Sequence, residues 1–263
     1  MRPRWIELID SKAIIDSNAQ LAEDVSIGPF SVVGPHVTID SGTVIGPHVV
    51  INGPTSIGRE NHIYQFASIG EDPQDKKYAS EVTRLEIGDR NTIREFVTMH
   101  RGTQQDRGVT SIGSDNLFMA YTHVAHDCII GNHVIMANGA SLAGHVHLGD
   151  HSILGGFTLV HQFTQIGQYS FSAMGSAITQ DIPPFVMVGG RPTRPHGINS
   201  VGMERNGISP EAIRQIRKAY KILYKTNLRL DDAIEEIESM AGDSDELSIM
   251  VSFLRNVTRG ILR

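Results

Sequence analysis

The sequence has few of the features that mark secreted or membrane proteins. Its 263 residues include one cysteine, Cys128, so no disulfide can form within the chain and a reducing compartment is allowed. No run approaches the roughly 20 apolar residues that span a bilayer, and residues 1–7 lack the apolar region of a secretory signal. The net charge of −6 argues against a general nucleic-acid binder. We therefore expect a cytoplasmic protein without an integral membrane segment.

What the sequence has instead is a six-residue repeat. Aliphatic residues recur at every sixth position from Ile15 to Ile69, and apolar residues return in the same spacing after Ile87 and again after Ile112. In the last run only Ser172 departs from the pattern. Four residues after each of these positions stands a second restricted position, usually small or β-branched. Each hexad therefore has two positions suited to a narrow core.

This spacing predicts the fold of most of the chain. Short parallel strands separated by corners satisfy two inward positions per hexad, and three hexads close one triangular coil. A β-sandwich would instead show a period of two with irregular spacing, which the sequence lacks. The repeat stops at Pro183-Pro184, and Gly189-Gly190-Arg191-Pro192 reads as a connector. We predict a parallel β-helix over residues 1–190 and an α-helical domain over 191–263.

The last part of the chain has the period of helices. Ser209 suits an N-cap and Pro210 the first helical position. One face of this helix would carry Ile213, Ile216, Tyr220, Leu223 and Tyr224. Further helices are predicted near 231–240 and 244–258, and such a domain would cap the open end of the β-helix.

Histidines collect on one side of the predicted coil, although none of those in the repeat falls on an inward position. Hexads on the same side of successive coils lie about 4.8 Å apart. Two long excursions, residues 71–86 and 101–111, leave from this side, and such loops in a compact solenoid are usually functional. We predict a functional cleft with a ladder of five histidines, rather than coincidental surface residues: His100, His123, His126, His145 and His161.

Three kinds of chemistry fit a histidine cleft. Cys128 invites assignment as a nucleophile, but it occupies a small inward position, where a core cysteine is expected. A zinc site like that of the gamma-class carbonic anhydrases, also hexapeptide β-helices, would pair histidines five residues apart, whereas His123 and His126 are three apart. General base catalysis remains, because histidine titrates near neutral pH and Asp127 could orient a neighbouring ring. We expect no metal and no cofactor.

The segment THVAHDC at residues 122–128 resembles the active-site motif of the bacterial UDP-N-acetylglucosamine O-acyltransferases, the first enzymes of lipid A biosynthesis. The resemblance spans nearly the whole chain. Further matches are IYQFASIG at 63–70, HRGT at 100–103, LAGHV at 142–146, HQF at 161–163 and TRGILR at 258–263.

This resemblance implies a left-handed coil and a homotrimer with active sites in the clefts between neighbouring β-helices. It implies transfer of a 3-hydroxyacyl group from acyl carrier protein to the glucosamine 3-hydroxyl of UDP-N-acetylglucosamine. His126 would be the general base, Asp127 its partner, and the Gly144 N–H the oxyanion donor. The substrate-binding residues would be His100, His123, His145, His161, Gln162, Lys77, Asp75 at the acyl 3-hydroxyl, and Asn199 and Arg205 on the nucleotide side.

Two departures from relatives and one charge pattern refine this expectation. Met174 stands where some relatives have glycine at the far end of the acyl groove, so it should act as a ruler for a chain of about ten carbons rather than about fourteen. Ser200-Val201 and Asn206 stand where relatives often carry a glutamate and an arginine. Residues 205–229 carry a local net charge of +6. This charge indicates either a solvated helix face or a docking surface for the acidic carrier protein.

Several alternatives stay open at this point. The N-acyltransferase of the same pathway resembles this fold but has an additional N-terminal domain, whereas the repeat here starts by Ile15. Coenzyme A-dependent acetyltransferases lack the Asp75-Lys77 excursion. A trimeric scaffold or sugar-nucleotide binder would have no reason to retain His126-Asp127 beside the other histidines. The acceptor could also be an amino-substituted analogue of UDP-N-acetylglucosamine.

Overall fold

Short parallel strands at six-residue intervals make up most of the structure, a computed structural model that describes residues 8–263. The expectation that no secretory signal is present concerns residues 1–7 and lies outside the described residues. In chain order the strands are β1 (Ile14–Ile15), β2 (Gln20–Leu21), β3 (Ser26–Ile27), β4 (Val32–Val33), β5 (Val37–Ile39), β6 (Val44–Ile45), β7 (Val50–Ile51), β8 (Thr55–Ile57), β9 (His62–Ile63), β10 (Ser68–Glu71), β11 (Arg84–Ile87), β12 (Thr92–Ile93), β13 (Thr98–His100), β14 (Val109–Ile112), β15 (Leu117–Phe118), β16 (His123–Val124), β17 (Ile129–Ile130), β18 (Ile135–Met136), β19 (Ser141–Leu142), β20 (His147–Leu148), β21 (Ile153–Leu154), β22 (Leu159–Val160), β23 (Gln165–Ile166), β24 (Phe171–Ser172), β25 (Ala177–Ile178), β26 (Val186–Gly189) and β27 (Arg194–Ile198).

Successive strands fall in turn on three faces of a triangular coil. Face 1 runs β1-β4-β7-β10-β13-β16-β19-β22-β25, and face 2 runs β2-β5-β8-β11-β14-β17-β20-β23. Face 3 runs β3-β6-β9-β12-β15-β18-β21-β24-β26-β27, and only its β26–β27 pair is antiparallel among the pairings described. We name the corners by the faces they join, so that corner 1–2 connects face 1 to face 2. The predicted parallel β-helix is confirmed.

The two predicted inward positions line the core. Along the coil, Ile27, Ile63 and Val124 have at most 1% of their surface exposed, and the small second position is also buried, as at Thr43 and Cys128. Some polar residues in these positions bond within the coil, as Thr43 does to the Gly58 carbonyl at 2.8 Å, whereas the buried hydroxyls of Thr122, Ser152 and Thr164 have no partner among the described residues. Ser172, the one exception in the last run, is buried and its hydroxyl lies 2.9 Å from that of Thr158.

Three asparagines that the six-residue pattern does not single out occupy the small position in successive coils. Each carboxamide oxygen accepts a backbone N–H from the next coil: Asn61 from Asn91 at 2.9 Å, Asn91 from Asn116 at 3.0 Å, and Asn116 from Val134 at 2.6 Å. Because these buried amides satisfy backbone donors, polar side chains can stand in the core without a large desolvation penalty.

The chain lengthens at corner 1–2 without losing register. Strand partners in regular coils are 18 residues apart, as for Val33 and Ile51. Ile69 pairs with Met99 and Met99 with Val124, so these coils contain 12 and 7 additional residues. The additions are the two predicted excursions, and both leave face 1 at corner 1–2.

The C-terminal region differs from the prediction at its start. Residues 194–198 form β27, which pairs with β26 in a hairpin, so the division predicted between residues 190 and 191 falls in the turn of this hairpin and stays a prediction. Helical structure begins at Ser200 and not at Ser209, because the short helix α1 (Ser200–Arg205) carries too little periodic sequence to be recognised.

The longer helices follow the prediction. They are α2 (Pro210–Lys225), α3 (Leu230–Ala241) and α4 (Asp245–Arg255), and α4 ends three residues before the predicted limit. The Ser209 hydroxyl accepts the Ala212 N–H at 3.1 Å, as expected of an N-cap. Buried residues of these helices pack with Phe185 of the last coil, so the helices cover that end of the β-helix. None of the helices in the described residues has the length and apolar character needed to cross a membrane.

Candidate active site

The predicted histidine side of the coil exists and is centred on corner 1–2. The strands β13, β16, β19 and β22 are consecutive neighbours on face 1, as the hexad count requires. His100, His123 and His161 lie in or directly after these strands, whereas His126 and His145 lie in the following corners. Because both excursions leave from the same corner, the histidines stand at the foot of two loops.

His126 and Asp127 form a hydrogen-bonded pair in the corner after β16. The His126 Nδ1 lies 2.8 Å from the Asp127 Oδ2, and Asp127 is only 1% exposed. Asp127 adopts a φ of 59°, in the left-handed region. Its carboxylate also accepts the Thr103 N–H at 2.9 Å and the Thr103 hydroxyl at 2.7 Å. The second excursion therefore supplies the residue that fixes Asp127.

The charge state of Asp127 follows from these bonds. Burial by itself would raise the pKa of this carboxyl, but the hydrogen bonds from His126 and Thr103 outweigh burial, and the pKa falls below its ordinary value. An ionised carboxylate can only accept, so His126 donates its Nδ1–H to Asp127. The Nε2 of His126 is then the basic nitrogen, available to take a proton.

Gly144 lies directly against the His126 ring. A Cβ placed on Gly144 would come within 2.5 Å of the His126 Cε1 and 2.7 Å of its Nε2, so only glycine fits while the ring keeps this position. Within the described residues, the Gly144 N–H makes no hydrogen bond. The site therefore places an unpaired backbone donor in the corner that borders the candidate base.

His123 and His100 form a second pair beside the first. Their ring centroids are 5.3 Å apart in an edge-to-face arrangement, and the His123 Nδ1 lies 2.7 Å from the Thr98 hydroxyl. Burial lowers the pKa of His123 to about 4, with contributions from His100 and His126. His123 is therefore neutral at pH 7. His100 is 4% exposed and its Nδ1 lies 2.5 Å from the Asp72 carbonyl, so it contacts the root of the first excursion.

His145 completes the group around Asp127. Its ring meets that of His126 edge to face at 5.0 Å and stacks on Phe163 at 4.3 Å. Its Nδ1 lies 2.7 Å from the Asp106 carboxylate, and its Nε2 lies 3.9 Å from the Asp127 carboxylate. The second excursion thus holds His145 through Asp106 as it holds Asp127 through Thr103.

The predicted ladder of five histidines is wrong in its geometry. Four of them form the two edge-to-face pairs, while His161 is exposed and contacts Gln162 and Arg259. The Arg259 guanidinium donates to the Gln162 carbonyl at 2.7 Å. The reason is that the five histidines occupy four different positions within their hexads, and the two that share a position, His100 and His161, lie three coils apart, so they cannot stack in one column.

The remaining predicted residues lie in three other places. Asp75 and Lys77 belong to the first excursion, where the Lys77 N–H donates to the Asp75 carboxylate at 3.0 Å. Asn199 caps α1, accepting the Gly202 N–H at 3.0 Å, and lines a cavity of about 320 Å³ on face 3 together with Arg205. Met174 lies at corner 3–1 and is 78% exposed. Within one chain, Asn199, Arg205 and Met174 therefore lie away from the histidines of corner 1–2, whereas Asp75 and Lys77 lie in an excursion that leaves that corner.

Cys128 is a core residue, as predicted. It is fully buried, and burial raises the pKa of its thiol to about 12, which leaves no thiolate near neutral pH. Its Sγ lies 3.3 Å from the Ala143 carbonyl. A role as nucleophile is excluded by this environment.

Sequence reasoning missed Thr103 and Asp106, the two residues that hold Asp127 and His145. Both lie in the second excursion, where the repeat is interrupted and no period assigns a position. The HRGT match at 100–103 was the one signal in the sequence for Thr103.

The donor set of the site also bears on the zinc alternative. His126, Asp127 and His145 offer ligand atoms within 4.8 Å of one another. However, both Asp127 oxygens already accept hydrogen bonds, and the His145 Nδ1 is engaged by Asp106. A metal ion would have to replace these bonds, so the arrangement favours proton transfer over metal coordination.

Comparison with known proteins identifies the family of this chain. A family model described as UDP-N-acetylglucosamine O-acyltransferase, domain 2, matches residues 181–262, and one described as bacterial transferase hexapeptide (six repeats) matches 18–53 and 110–144. The acyl-acyl-carrier-protein–UDP-N-acetylglucosamine O-acyltransferase of Halorhodospira halophila is 58% identical over 255 residues, 97% of this chain and 99% of that protein. This chain belongs to the UDP-N-acetylglucosamine O-acyltransferase family. The enzyme of the same name from Pseudomonas putida is 54% identical, with the same coverage.

A solved structure extends the agreement to the fold. The UDP-N-acetylglucosamine O-acyltransferase from Moraxella catarrhalis is 44% identical and superposes with a TM-score of 0.96, covering 98% of this chain and 100% of that one. With the hexapeptide match, this likeness confirms the predicted left-handed coil.

Proposed function

We propose that this chain transfers a 3-hydroxyacyl group from acyl carrier protein to the glucosamine 3-hydroxyl of UDP-N-acetylglucosamine, the first step of lipid A biosynthesis. Membership of the O-acyltransferase family supports the reaction. The observation that carries the mechanism is the His126–Asp127 pair, in which a buried carboxylate fixes the ring so that Nε2 is basic. We place the reaction in the cytoplasm, in keeping with the single reduced cysteine and with a carrier-protein donor.

The mechanism uses two proton transfers, one to His126 and one from it. The His126 Nε2 takes the proton of the sugar 3-hydroxyl while that oxygen attacks the thioester carbonyl. The Gly144 N–H donates to the resulting oxyanion, a type of contact whose loss costs about 10²–10³ in rate in other enzymes. As the carbon–sulfur bond breaks, the phosphopantetheine thiolate leaves and takes the proton from His126. Asp127 stays ionised throughout and stabilises the imidazolium.

The surrounding residues position the two substrates. His123, neutral at pH 7, can donate or accept a hydrogen bond without adding charge beside the base. We assign His145, His161 and the Gln162 backbone to the sugar nucleotide, and Lys77 and Asp75 to substrate contacts from the first excursion. In this scheme Asp75 accepts a hydrogen bond from the acyl 3-hydroxyl, and His100 supports the root of that excursion.

The split between the two groups of residues supports an assembly in which neighbouring copies share each site. The base and its neighbours lie at corner 1–2, whereas Asn199 and Arg205 line a cavity with Phe171 on face 3. A second copy packed beside corner 1–2 would supply the nucleotide-binding pair that one chain cannot place there. We infer that each active site lies between two neighbouring copies of a trimer.

Met174 sets the length of the acyl chain in this proposal. Its exposed side chain at corner 3–1 is free to project from the coil into a groove between copies. Each methylene in an apolar pocket contributes about 1–3 kcal/mol to the discrimination between substrates. A methionine in place of glycine therefore selects a shorter acyl chain, of about ten carbons.

A stripe of cations on α2 is the proposed docking surface for the carrier protein. Its members follow one another at intervals of three, one, three and four residues and are exposed, so they share one helix face. Only one of them, Arg214, forms an ion pair within the described residues, with Glu211. The stripe consists of Arg214, Arg217, Lys218, Lys221 and Lys225. Unpaired cations of this kind attract an acidic partner and raise its association rate at low salt.

The deciding experiment measures transfer of a 3-hydroxydecanoyl group from acyl carrier protein to UDP-N-acetylglucosamine. Wild-type protein and a His126→Ala variant are compared, and an amino-substituted acceptor is included as a second arm. We expect transfer to UDP-N-acetylglucosamine that falls about 10²–10⁴-fold in the variant. A folded wild type that transfers no chain of any length would refute the proposal. Metal analysis of the active protein separates it from a zinc enzyme.

A further inference from the structure

The most heavily bonded side chain near the site is Arg101, which the proposed mechanism does not use. It follows His100 at the end of β13, and its side chain is only 9% exposed. A buried guanidinium is costly unless its donors are satisfied. The contacts of Arg101 therefore indicate what it holds in place.

The guanidinium of Arg101 joins three segments of chain. Its Nη1 donates to the Gly53 carbonyl at 3.0 Å and to the Gly70 carbonyl at 2.6 Å. Its Nη2 donates to the Asp72 carboxylate, and to the Tyr78 hydroxyl at 3.2 Å. A planar fork of this kind can satisfy two carbonyls and a carboxylate at once, which an ammonium group cannot do in the same geometry.

These partners enclose the part of the first excursion that carries Asp75 and Lys77. The Tyr78 hydroxyl lies 3.1 Å from both the Asp72 carboxylate and the Glu81 carbonyl, and the Tyr78 N–H donates to the Asp75 carbonyl at 3.1 Å. Residues 72 and 78 are thus joined to each other and to Arg101. The intervening turn is closed at its base, so the backbone that carries Asp75 and Lys77 is held at both ends.

Arg101 is also linked by contacts to the His100–His123 pair on face 1. The Arg101 N–H donates to the Glu71 carbonyl at 3.1 Å, and the Asp72 carbonyl lies 2.5 Å from the His100 Nδ1. His100 in turn contacts His123. The excursion is therefore tied to the strand next to the one that leads to His126.

The geometry points to Arg101 as the positioning residue of the substrate-binding excursion: it fixes the segment from Asp72 to Tyr78 so that Asp75 and Lys77 are ordered before substrate binds. This inference rests on the proposed function, which gives Asp75 the contact to the acyl 3-hydroxyl. Without the clamp, ordering this turn would oppose binding, because each free residue loses conformational entropy when it is fixed.

The first test does not require activity. Hydrogen exchange of residues 72–83 is measured in free wild-type protein, in Arg101→Lys and in Tyr78→Phe. Arg84→Lys serves as the control, because Arg84 is an exposed arginine at the end of the same excursion. We expect at least tenfold faster exchange in the excursion for Arg101→Lys, a smaller increase for Tyr78→Phe, and none for the control. Protection equal to wild type in both variants would overturn the inference.

The second test compares donors. In Arg101→Lys, kcat/KM for the 3-hydroxyacyl donor should fall at least tenfold, while kcat/KM for the acyl donor without the hydroxyl should change little. The preference for the hydroxylated donor should therefore fall towards that of Asp75→Ala. Equal losses for both donors would show a general structural role and refute the positioning role. If Tyr78→Phe folds where Arg101→Lys does not, it carries the same comparison with a smaller expected loss. Absence of transfer by wild type would count against the proposed function, and the exchange experiment would still decide the role of Arg101.

Discussion

Replacing Asp127 by asparagine tests the dyad most directly. In the structure the Asp127 Oδ1 accepts the Thr103 N–H, so the asparagine carbonyl should keep that bond and place its NH₂ group at the position of Oδ2. That group would face the His126 Nδ1 at the present distance of 2.8 Å. Because an NH₂ group only donates, the His126 ring would have to accept at Nδ1 and carry its proton on Nε2.

This exchange of tautomer removes the base without removing the histidine. An Nε2 that already bears a proton cannot accept one from the sugar hydroxyl, so the contribution of general base catalysis, about 10²–10⁴ in rate, should be lost. The variant should also lose about 1–3 kcal/mol of unfolding free energy, since the NH₂ group faces the Thr103 hydroxyl, which now has to reorient.

The assay is single-turnover transfer from acyl carrier protein, together with thermal unfolding of the same preparation. Asp150→Asn is the matched control, because Asp150 also accepts a backbone N–H in a corner, from Asn132 at 2.7 Å, but lies away from the site. The control should lose little activity. If Asp127→Asn retains more than about a tenth of the wild-type rate, control of the His126 tautomer by Asp127 is not part of the mechanism.

Three further predictions follow from other parts of the site. Gly144→Ala should reduce the transfer rate at least about 100-fold by displacing the His126 ring. Gly156→Ala, at the equivalent place in another hexad, should not, because a Cβ there would meet only the Asn138 carbonyl oxygen, at an ordinary contact distance of 3.4 Å. Similar rates in both variants would contradict the role given to Gly144. The folded state keeps His123 neutral, whereas the unfolded chain protonates it below about pH 6.5. This difference should contribute up to about 3 kcal/mol to the unfolding free energy above pH 6.5, and the contribution should be lost as the pH falls towards 4. In His123→Gln this loss should be smaller, measured as unfolding free energy against pH; an unchanged profile would count against the buried neutral ring. Met174→Gly should shift the preferred acyl donor to chains several carbons longer, and a donor-length profile identical to wild type would disprove the ruler.

Most of the fold could be predicted from the sequence because the core repeats along a single axis. Each coil repeats the same two inward positions, so Ile45, Ile63 and Val124 could be assigned to the core by counting alone. The short helix α1 and the strand β27 could not be found by counting. They lie where the six-residue period has ended and no helical period has begun, and their placement depends on packing against the last coil.

The site was predictable only where it follows the repeat. The positions of His123, His126 and His145 are fixed by the repeat, and the structure brings His126 and His145 together around Asp127 while His123 pairs with His100. Thr103 and Asp106 lie in an excursion of irregular sequence, so their contacts depend on how that loop folds back onto the corner. The location of the site could thus be predicted from the repeat itself, whereas the residues that hold its charged groups in place depend on the folding of a distant loop.

The constant register on either side of the two excursions has a practical consequence. Strands β13 and β16 pair with their neighbours as though the 12 and 7 additional residues were absent. The segment between β10 and β11 can therefore be exchanged for one of different length or composition without rebuilding the coil, provided that its two ends meet the fixed strands and that it keeps the contacts of Asp72 and Tyr78 to Arg101. A chimera that keeps Arg101 and its carbonyl partners but takes this segment from a relative with another substrate preference is a direct route to altered specificity. In such a protein the catalytic corner and the specificity loop would be inherited, or engineered, as separate parts.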